Sequence, residues 1–434
     1  MGVSRKRYAV VGVGSRSNMY TEAITESHRD FAELVALCDT NQARMDLRNG
    51  QLPEGVGPVP TYPAGDFDRM VAEAKPDVVI VTSMDVTHSD YIVRAMQLGC
   101  DVVTEKPMTT DEHRCAEILK TVKATGRKLQ VTFNYRYAPP RSQVKELLEA
   151  GEVGKVLSVD FHWMLDTRHG ADYFRRWHRR RGNSGSLLVH KATHHFDLVN
   201  WWLGARPTEV FCRARRAFYT PQTADELFGL TGRSERCHIC RVSDKCPFFL
   251  DLAANEGLRK LYLECEHADG YFRDRCVFSN QIDIWDVMNL AVRYDTGATM
   301  SYSLNAFLPV EGYSIAFNGD RGRLEHRACE NTYVSGDGTV PGELKRGNVS
   351  ITVISAFQSP REVEVHTGRG GHGGGDVVLL DDVFRPDPPA DPLGRKAGQL
   401  DGAYSILTGI AAYRSIDSGR PVRIAELVDP SLLE

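Results

Sequence analysis

Short apolar runs alternate with helical segments over the first third of the chain. Apolar runs typical of buried strands begin near residues 7, 32, 76, 101 and 128. Segments with helical spacing lie between them, at 18–27, 67–74, 90–98 and 112–125. This alternation predicts a doubly wound parallel sheet with helices on both faces. Such sheets bind ligands at the carboxyl ends of their strands, so the residues at those ends are the first site candidates.

The pattern changes after about residue 150, where longer runs predict the strands of a second domain. These runs cover 155–165, 207–216, 289–307 and 314–327. Turn signals inside the last two, Asp295-Thr-Gly and Asn318-Gly-Asp, suit β-hairpins. Because no long helix separates these two runs, we predict an antiparallel arrangement. The expected organisation is a parallel-sheet domain in residues 1–134 and an α/β domain in residues 135–434.

The amino-acid composition excludes several classes of protein and argues against two kinds of binding partner. The chain has 434 residues, of which 42% are hydrophobic and 25% charged, so disordered, collagen-like and coiled-coil chains are excluded. Its 53 basic and 57 acidic residues nearly balance, which argues against binding to nucleic acid or to an anionic membrane. No apolar stretch approaches the roughly 20 residues of a membrane span. The first residues do not form a secretory signal, and we expect a cytoplasmic protein.

A glycine turn follows the first predicted strand and indicates a nucleotide site. Gly12 and Gly14 stand before a helix, and Asp39 ends the second apolar run. This order fits a dinucleotide-binding unit, in which the glycines let the backbone approach a pyrophosphate at the helix N-terminus. Asp39 would accept hydrogen bonds from the ribose hydroxyls and repel a 2′-phosphate, which favours NAD. Arg16 follows the glycines and leaves NADP as an alternative.

Further cofactor contacts are expected where the other strands end. All of these positions should share one edge of the sheet with the glycine turn. The predicted cofactor-binding residues are Gly12, Gly14, Ser15, Arg16, Asp39, Thr82, Ser83, His88, Glu105, Lys106 and Asn134.

Three segments together resemble a known family. They are Glu105-Lys106-Pro107 at a strand end, Gly185-SLLVHKATHHFD, and a helix at 404–421 that ends in S-G-R-P-V. In this order they are similar to the Gfo/Idh/MocA family of glucose–fructose oxidoreductases and inositol dehydrogenases. The resemblance implies a Rossmann domain followed by a domain with an open, mostly antiparallel sheet. It also implies a last helix that packs back toward the Rossmann domain, and a homo-oligomer, dimer or tetramer, formed through the second sheet.

The same resemblance implies roles in proton transfer. Lys106 matches the family lysine, and His194 matches the family histidine through the motif H-x-x-D. The upstream aspartate of the family is replaced by His190, so the proton acceptor stays open between Lys106, His194 and His190, with Lys191 assisting. A zinc site at the H-x-x-x-H pair is the alternative, and the cationic Lys191 next to His190 argues against it.

Polar and aromatic residues near these segments are candidates for the wall of a substrate site. Aromatic rings can stack on sugar faces, and charged side chains can bind hydroxyls. A solvated loop is the competing interpretation for the basic stretch at 175–181. The predicted substrate residues are Tyr135, Arg136, Asp166, His169, Tyr173, Trp177, Arg179 and His195.

Five of the ten cysteines fall within forty positions, and their spacing suggests metal binding. Cys237, Cys240 and Cys246 form a C-x2-C-x5-C array, and Cys276 is the first choice for a fourth ligand. Cys265, His267 and His238 are the alternatives for that ligand. We expect structural zinc in an insertion at about 218–282 that otherwise lacks a core. An iron–sulfur cluster or four unrelated free thiols are the competing interpretations.

These features predict an NAD-dependent oxidoreductase that acts on a hydroxyl of a sugar, cyclitol or glycoside, with Lys106 and His194 in proton transfer. One alternative is a glycosidase that uses tightly bound NAD for transient oxidation. Another is a catalytically silent NAD-binding sensor or scaffold. The glycine-rich segment 368–376 is expected to be either a loop over the substrate or a mobile connection.

Overall fold

Six parallel strands form the first sheet of the molecule. The computed structural model describes residues 5–332, 349–368 and 371–434. The strand order is β3-β2-β1-β4-β5-β6, and every neighbouring pair is parallel. The strands are β1 Lys6–Val11, β2 Ala32–Asp39, β3 Thr61–Pro63, β4 Val78–Val81, β5 Asp101–Thr104 and β6 Leu129–Val131.

Five helices connect these strands, and their ends are set by local hydrogen bonds. The side chains of Asn41 and Asp111 cap the first turns of α2 and α5 by accepting from the backbone N–H groups of Arg44 and Arg114. A π-helical turn at Ala23–Ser27 extends the first helix. The helices are α1 Ser17–Glu22, α2 Gln42–Asn49, α3 Phe67–Ala74, α4 His88–Gln97 and α5 Glu112–Thr125.

The second sheet has nine strands and is mostly antiparallel. Its order is β14-β13-β12-β11-β7-β10-β9-β8-β15, and only β7 and β10 pair in parallel among the described strands. The predicted hairpins are present as β9–β10 and β11–β12. The strands are β7 Val156–Asp166, β8 Pro207–Arg215, β9 Val287–Tyr294, β10 Thr299–Leu308, β11 Val310–Gly319, β12 Gly322–Thr332, β13 Val349–Ser355, β14 Arg361–Val363 and β15 Val422–Arg423.

Helices cover one face of this sheet and join it to the first. The last helix, α15, packs against β8, and its Arg414 pairs with Glu112 of α5. Burial alternates along β9 and β10, as expected for strands with one covered face. The helices are α6 Pro139–Glu149, α7 Thr167–Arg175, α8 Arg181–Ser184, α9 Leu187–His190, α10 Ala192–Leu203, α11 Pro221–Glu226, α12 Glu256–Leu258, α13 Glu266–Asp269, α14 Gly375–Phe384 and α15 Gln399–Ser418.

The insertion at 218–282 contains an aromatic core, so the expectation that it lacks one is wrong. Phe248 packs edge-on against Phe228 and Phe278, with ring centroids 5.5 and 5.3 Å apart. Phe218 stacks on Phe307 of β10 at 4.7 Å and anchors this cluster to the sheet. These phenylalanines are scattered along the sequence, and only folding brings their rings together.

The predicted zinc site is not supported. Cys237, Cys240, Cys246 and Cys276 line one small cavity, but its other lining side chains include Val242, Phe248 and Phe278. Within the described residues, no group of three or more histidine, cysteine or acidic side chains is arranged to hold a metal ion. All ten cysteines are free thiols, and burial raises the pKa of Cys246 to about 11. The four cysteines therefore line a small cavity as free thiols, and an iron–sulfur cluster is equally unsupported.

Two further predictions concern the membrane and the glycine-rich segment. Over the described part of the chain, no helix has both the length and the apolar character needed to cross a bilayer. The expected loop at 368–376 falls partly on residues 369–370, which lie outside the described residues. Asp376, in the first turn of α14, accepts a hydrogen bond from the side chain of Asn134 at 2.6 Å.

Candidate active site

A cavity of about 560 Å³ lies at the carboxyl edge of the six-stranded sheet, where the second domain faces it. The loops after β1, β2, β4, β5 and β6 all reach this cavity, as expected because parallel sheets bind ligands at the carboxyl ends of their strands. The structure brings together every predicted cofactor residue here. Those lining residues are Gly12, Gly14, Ser15, Arg16, Asp39, Thr82, Ser83, His88, Glu105, Lys106 and Asn134.

The glycine turn is held in a conformation that leaves no room for a side chain at Gly12. Its φ is +85°, and a Cβ atom there would lie 2.4 Å from the Cα of Ser83. The carboxylate of Asp39 accepts hydrogen bonds from the backbone N–H groups of Val13 and Asn41. Asp39 thus ties the turn after β1 to the end of β2, which shapes the edge where a dinucleotide would bind.

Glu105 forms a buried polar centre beneath this turn. It accepts hydrogen bonds from Arg16 Nε at 2.5 Å and from the hydroxyl of Tyr20 at 2.7 Å. Burial alone would raise the pKa of Glu105, but the charges of Arg16 and Lys106 hold it below its ordinary value. Arg16 therefore already has an anionic partner within the protein.

Lys106 extends into the cavity beside His190. Its Nζ lies 3.4 Å from His190 Nε2 and donates to the carbonyl oxygen of His190 at 3.4 Å. Desolvation lowers the pKa of Lys106 to about 8, although the charges of Asp85 and Glu105 act in the opposite direction. A lysine with this pKa exchanges a proton near neutral pH.

Asp85 holds the other side of the His190 ring, a relationship that sequence reasoning missed. It lies in a 3-10 turn, Asp85–Thr87, after β4, and its Oδ2 is 2.6 Å from His190 Nδ1. Burial raises the pKa of Asp85, and Lys106 opposes that shift. Burial and the charge of Lys106 lower the pKa of His190, which favours a neutral ring. With Nδ1 donating to Asp85, Nε2 is the acceptor that faces Lys106.

The segment that contains His190 and His194 forms two helices, α9 and α10, with a break at Lys191. His194 nevertheless lines the cavity, and its ring stacks on Tyr135 with centroids 4.0 Å apart. Lys191 also lines the cavity and donates to the hydroxyl of Tyr135 at 3.0 Å. The break thus allows His190, Lys191 and His194 to reach the same space.

The predicted substrate residues divide into two groups. Tyr135, His169, Tyr173 and Trp177 line the cavity. His169 bridges two of its neighbours, with Nε2 at 2.8 Å from the Tyr173 hydroxyl and Nδ1 at 3.0 Å from Glu311. His178, which was not predicted, also lines the cavity, and it stacks on Trp177 and packs edge-on against His190.

The remaining four predicted substrate residues lie away from the cavity lining. Arg136 is buried and pairs with Asp197 and Asp401. His195 points toward the second sheet, where its Nδ1 lies 2.6 Å from the hydroxyl of Tyr302. Asp166 caps α7 by accepting from the N–H of His169, and the buried Arg179 is not among the lining residues. The contacts of Arg136, His195 and Asp166 are therefore those of packing and capping.

The insertion also reaches this cavity, at the end near Asp39. Tyr262, Asp269 and Tyr271 belong to the insertion and line the cavity together with Arg44 of α2. Sequence reasoning did not connect the insertion with the cofactor edge, because more than two hundred residues separate Arg44 from Asp269.

Comparisons with known proteins agree on one family. The family described as "Oxidoreductase family, NAD-binding Rossmann fold" matches residues 6–133, and its "C-terminal alpha/beta domain" matches residues 145–424. YteT of Bacillus subtilis (strain 168), a protein named as an oxidoreductase, is 37% identical over 431 residues, which cover 97% of this chain and 98% of YteT. An inositol 2-dehydrogenase of Rhizobium meliloti (strain 1021) is 28% identical over 208 residues, covering 48% of this chain and 58% of that enzyme.

A solved structure shows the same fold over nearly the whole chain. The WlbA dehydrogenase from Bordetella pertussis, in complex with NADH and UDP-GlcNAcA, aligns with a TM-score of 0.61 at 19% identity. The alignment covers 96% of this chain and 98% of WlbA. Both domain matches and the full-length similarity to YteT show that this chain belongs to the Gfo/Idh/MocA family of oxidoreductases, with an NAD-binding Rossmann fold at its N-terminal end.

Proposed function

We propose that this protein transfers a hydride between the carbon of a sugar, cyclitol or glycoside hydroxyl and NAD. The observation that carries this proposal is the group formed by Lys106, His190 and Asp85 at the carboxyl edge of the Rossmann sheet. A lysine with a pKa of about 8 beside a neutral histidine can accept and return the proton of a hydroxyl. This group shares its cavity with the glycine turn and Asp39.

Lys106, His190 and Asp85 have separate roles in the proposed alcohol oxidation. When bound, NAD supplies the acceptor for the hydride that leaves the carbon. Neutral Lys106 takes the hydroxyl proton, and Nε2 of the neutral His190 accepts a hydrogen bond from the resulting ammonium. Asp85 fixes the tautomer of His190, because its carboxylate accepts a hydrogen bond from Nδ1 at 2.6 Å. In the reverse direction the same groups return the proton to the alkoxide.

His194 and Lys191 complete the proposed site on the other side. We assign His194 a hydrogen bond to the reacting hydroxyl, and the stacked ring of Tyr135 fixes its plane. Lys191 places a second cation nearby through its bond to the Tyr135 hydroxyl. Lys191 and the ammonium that forms on Lys106 would both stabilise the alkoxide character of the transition state.

NAD is the proposed cofactor in preference to NADP. The Asp39 carboxylate stands at the end of β2, where the ribose hydroxyls of a dinucleotide are bound. Arg16 is paired with Glu105 and so does not offer a free cation for a 2′-phosphate.

The proposed substrate is an uncharged polyol or sugar, and the proposed assembly is a homo-oligomer through the nine-stranded sheet. Tyr173 and Trp177 supply aromatic surfaces in the cavity, and His169 supplies a polar edge. The name of the inositol 2-dehydrogenase relative points to the same class of substrate. Size-exclusion chromatography with light scattering tests the assembly.

The test of this function is nicotinamide absorbance at 340 nm during a screen of polyols, aldoses and glycosides, with Lys106→Met as the matched variant. A rise in absorbance with one class of substrate, and the loss of that rise in Lys106→Met, support the proposal. Release of an aglycone without net absorbance change would favour the glycosidase with bound NAD. Tight NAD binding with neither signal would favour the silent sensor or scaffold.

A further inference from the structure

The insertion is docked on the Rossmann domain beside Asp39. Asn41 is fully buried, and its side-chain amide donates to the backbone oxygen of Cys265 at 2.8 Å. Arg44, one turn further along α2, donates from Nε to the backbone oxygen of Leu261 at 3.1 Å. Its Nη1 forms an ion pair of 2.5 Å with Asp269. Three bonds thus join the start of α2 to one short stretch of the insertion.

Aromatic rings from the insertion surround this contact. The guanidinium carbon of Arg44 lies 5.7 Å from the ring centre of Tyr262 and 5.6 Å from that of Tyr271. The hydroxyl of Tyr262 also accepts a hydrogen bond from the backbone N–H of Ser15 at 3.4 Å. The insertion therefore touches both the glycine turn and the helix that follows Asp39.

Two side chains in this region, those of Tyr262 and Arg44, are buried and line the cavity. Tyr262 is only 6% exposed yet lines the cavity. Nη2 of Arg44 is buried and has no hydrogen-bond partner among the residues that the structure describes. An unsatisfied buried guanidinium nitrogen beside a cavity indicates that an acceptor on a bound molecule completes its contacts.

We propose that residues 259–271 of the insertion form the outer wall of the adenosine half of the cofactor site, and that this wall must leave α2 before the cofactor can exchange. The inference rests on the proposed use of NAD. Asp39 fixes where the adenosine ribose binds, and Tyr262, Asp269 and Tyr271 line that same end of the cavity. We call the Arg44–Asp269 ion pair the latch, because it holds the wall against α2. Its side chains are only 8% and 13% exposed, so the pair is shielded from solvent.

We expect cofactor exchange to be slow, because opening the wall breaks this shielded ion pair and the hydrogen bonds that Asn41 and Arg44 donate to the insertion. The experiment measures NADH dissociation: the protein is loaded with NADH, excess NAD is added, and the loss of protein-bound NADH fluorescence is followed. Asp269→Asn removes the charge of the latch and keeps the shape of the side chain. Asp225→Asn is the matched control, because Asp225 pairs with Arg233 in the insertion, outside residues 259–271, and is 42% exposed.

We expect Asp269→Asn to raise the NADH dissociation rate about tenfold and Asp225→Asn to leave it unchanged. Tyr262→Phe, which removes only the hydroxyl that contacts Ser15, should raise the rate by a smaller factor and guards against a folding defect in the first variant. Equal dissociation rates in wild type, Asp269→Asn and Tyr262→Phe would overturn the wall.

The outcome separates this inference from the proposed function. Faster exchange in Asp269→Asn without turnover of any polyol, aldose or glycoside keeps the wall and rejects the hydride-transfer proposal. Turnover with unchanged exchange rejects the wall alone. Absence of NADH binding by the wild-type protein rejects both.

Discussion

Asp85 and His190 are 105 residues apart in the sequence, and their side chains meet at 2.6 Å in the cavity. Asp85 comes from the turn after β4 of the Rossmann sheet, whereas His190 ends α9 of the second domain. The pair therefore joins the two parts of the chain at the point where Lys106 extends into the cavity. The arrangement of this pair determines which nitrogen of His190 faces Lys106.

Replacing Asp85 with asparagine should lower kcat about a hundredfold and leave the affinity for NAD unchanged. The amide can donate to Nδ1 as well as accept from it, so it no longer fixes Nε2 as the acceptor that faces Lys106. The measurement is steady-state kinetics with the best polyol substrate, together with NADH titration. A merely structural role would instead lower stability and cofactor affinity along with kcat.

The rate of alcohol oxidation should rise with pH and level off above about 8. Lys106 has a pKa of about 8, so its ammonium form predominates below that pH and cannot accept the hydroxyl proton. The profile of kcat/KM against pH measures this limb. Lys106→Met should lower kcat/KM about a thousandfold and abolish the limb, and a profile that keeps the limb in this variant contradicts the assignment.

The wild-type protein should use NAD at least about a hundredfold better than NADP, measured as kcat/KM for each cofactor. Asp39→Ser should narrow this ratio to about tenfold or less, because the carboxylate no longer repels a 2′-phosphate. Asp46→Asn, on α2, is the control that should keep the wild-type ratio. An unchanged ratio in Asp39→Ser would place cofactor discrimination elsewhere.

Arg136→Met should destabilise the protein by about 3–5 kcal/mol, because it leaves the buried Asp197 without its ion-pair partner. Protein that remains folded should keep the wild-type KM for substrate, since Arg136 does not line the cavity. Urea unfolding gives the free energy of unfolding, and kinetics at low temperature give KM. A large rise in KM with unchanged stability would restore the substrate role predicted from sequence.

The insertion should hold together through its aromatic core. Incubation with EDTA should leave the melting temperature unchanged. Phe248→Ala should lower the free energy of unfolding by about 3–4 kcal/mol, because a fully packed phenylalanine is replaced by a cavity. Differential scanning calorimetry measures the melting temperature of the EDTA-treated protein and of Phe248→Ala. A large fall in melting temperature with EDTA would show that a bound metal stabilises the insertion more than its aromatic core does.

Local patterns predicted much of the fold because they depend on neighbours in the chain. The alternation of apolar runs and helices was enough for the Rossmann sheet, and the Asp295 and Asn318 turns were enough for two hairpins. Strand β3 escaped notice because its three residues at the sheet edge carry too short an apolar run. The parallel pairing of β7 with β10 was also missed, since the two strands are far apart in sequence.

The candidate site shows the same limit. Strand ends predicted which residues would gather around the glycine turn, because all parallel strands end at one edge. The contact of Asp85 with His190 spans two domains and leaves no local trace. His195 and Arg136 stand beside cavity residues in sequence, but adjacent positions on a helix or turn point in different directions. Only the folded chain separates them from His194 and Tyr135.

The aromatic core of the insertion has a mechanical consequence. Phe228, Phe248 and Phe278 pack into one cluster, and the insertion contacts the rest of the chain at Phe307 through a ring stack and at Arg44 through an ion pair. If residues 259–271 leave α2 as proposed, the aromatic cluster can stay packed, so cofactor entry does not require the cluster to unfold. Substitutions at Arg44 or Asp269 would therefore change the exchange rate while the contact at Phe307 keeps its structure.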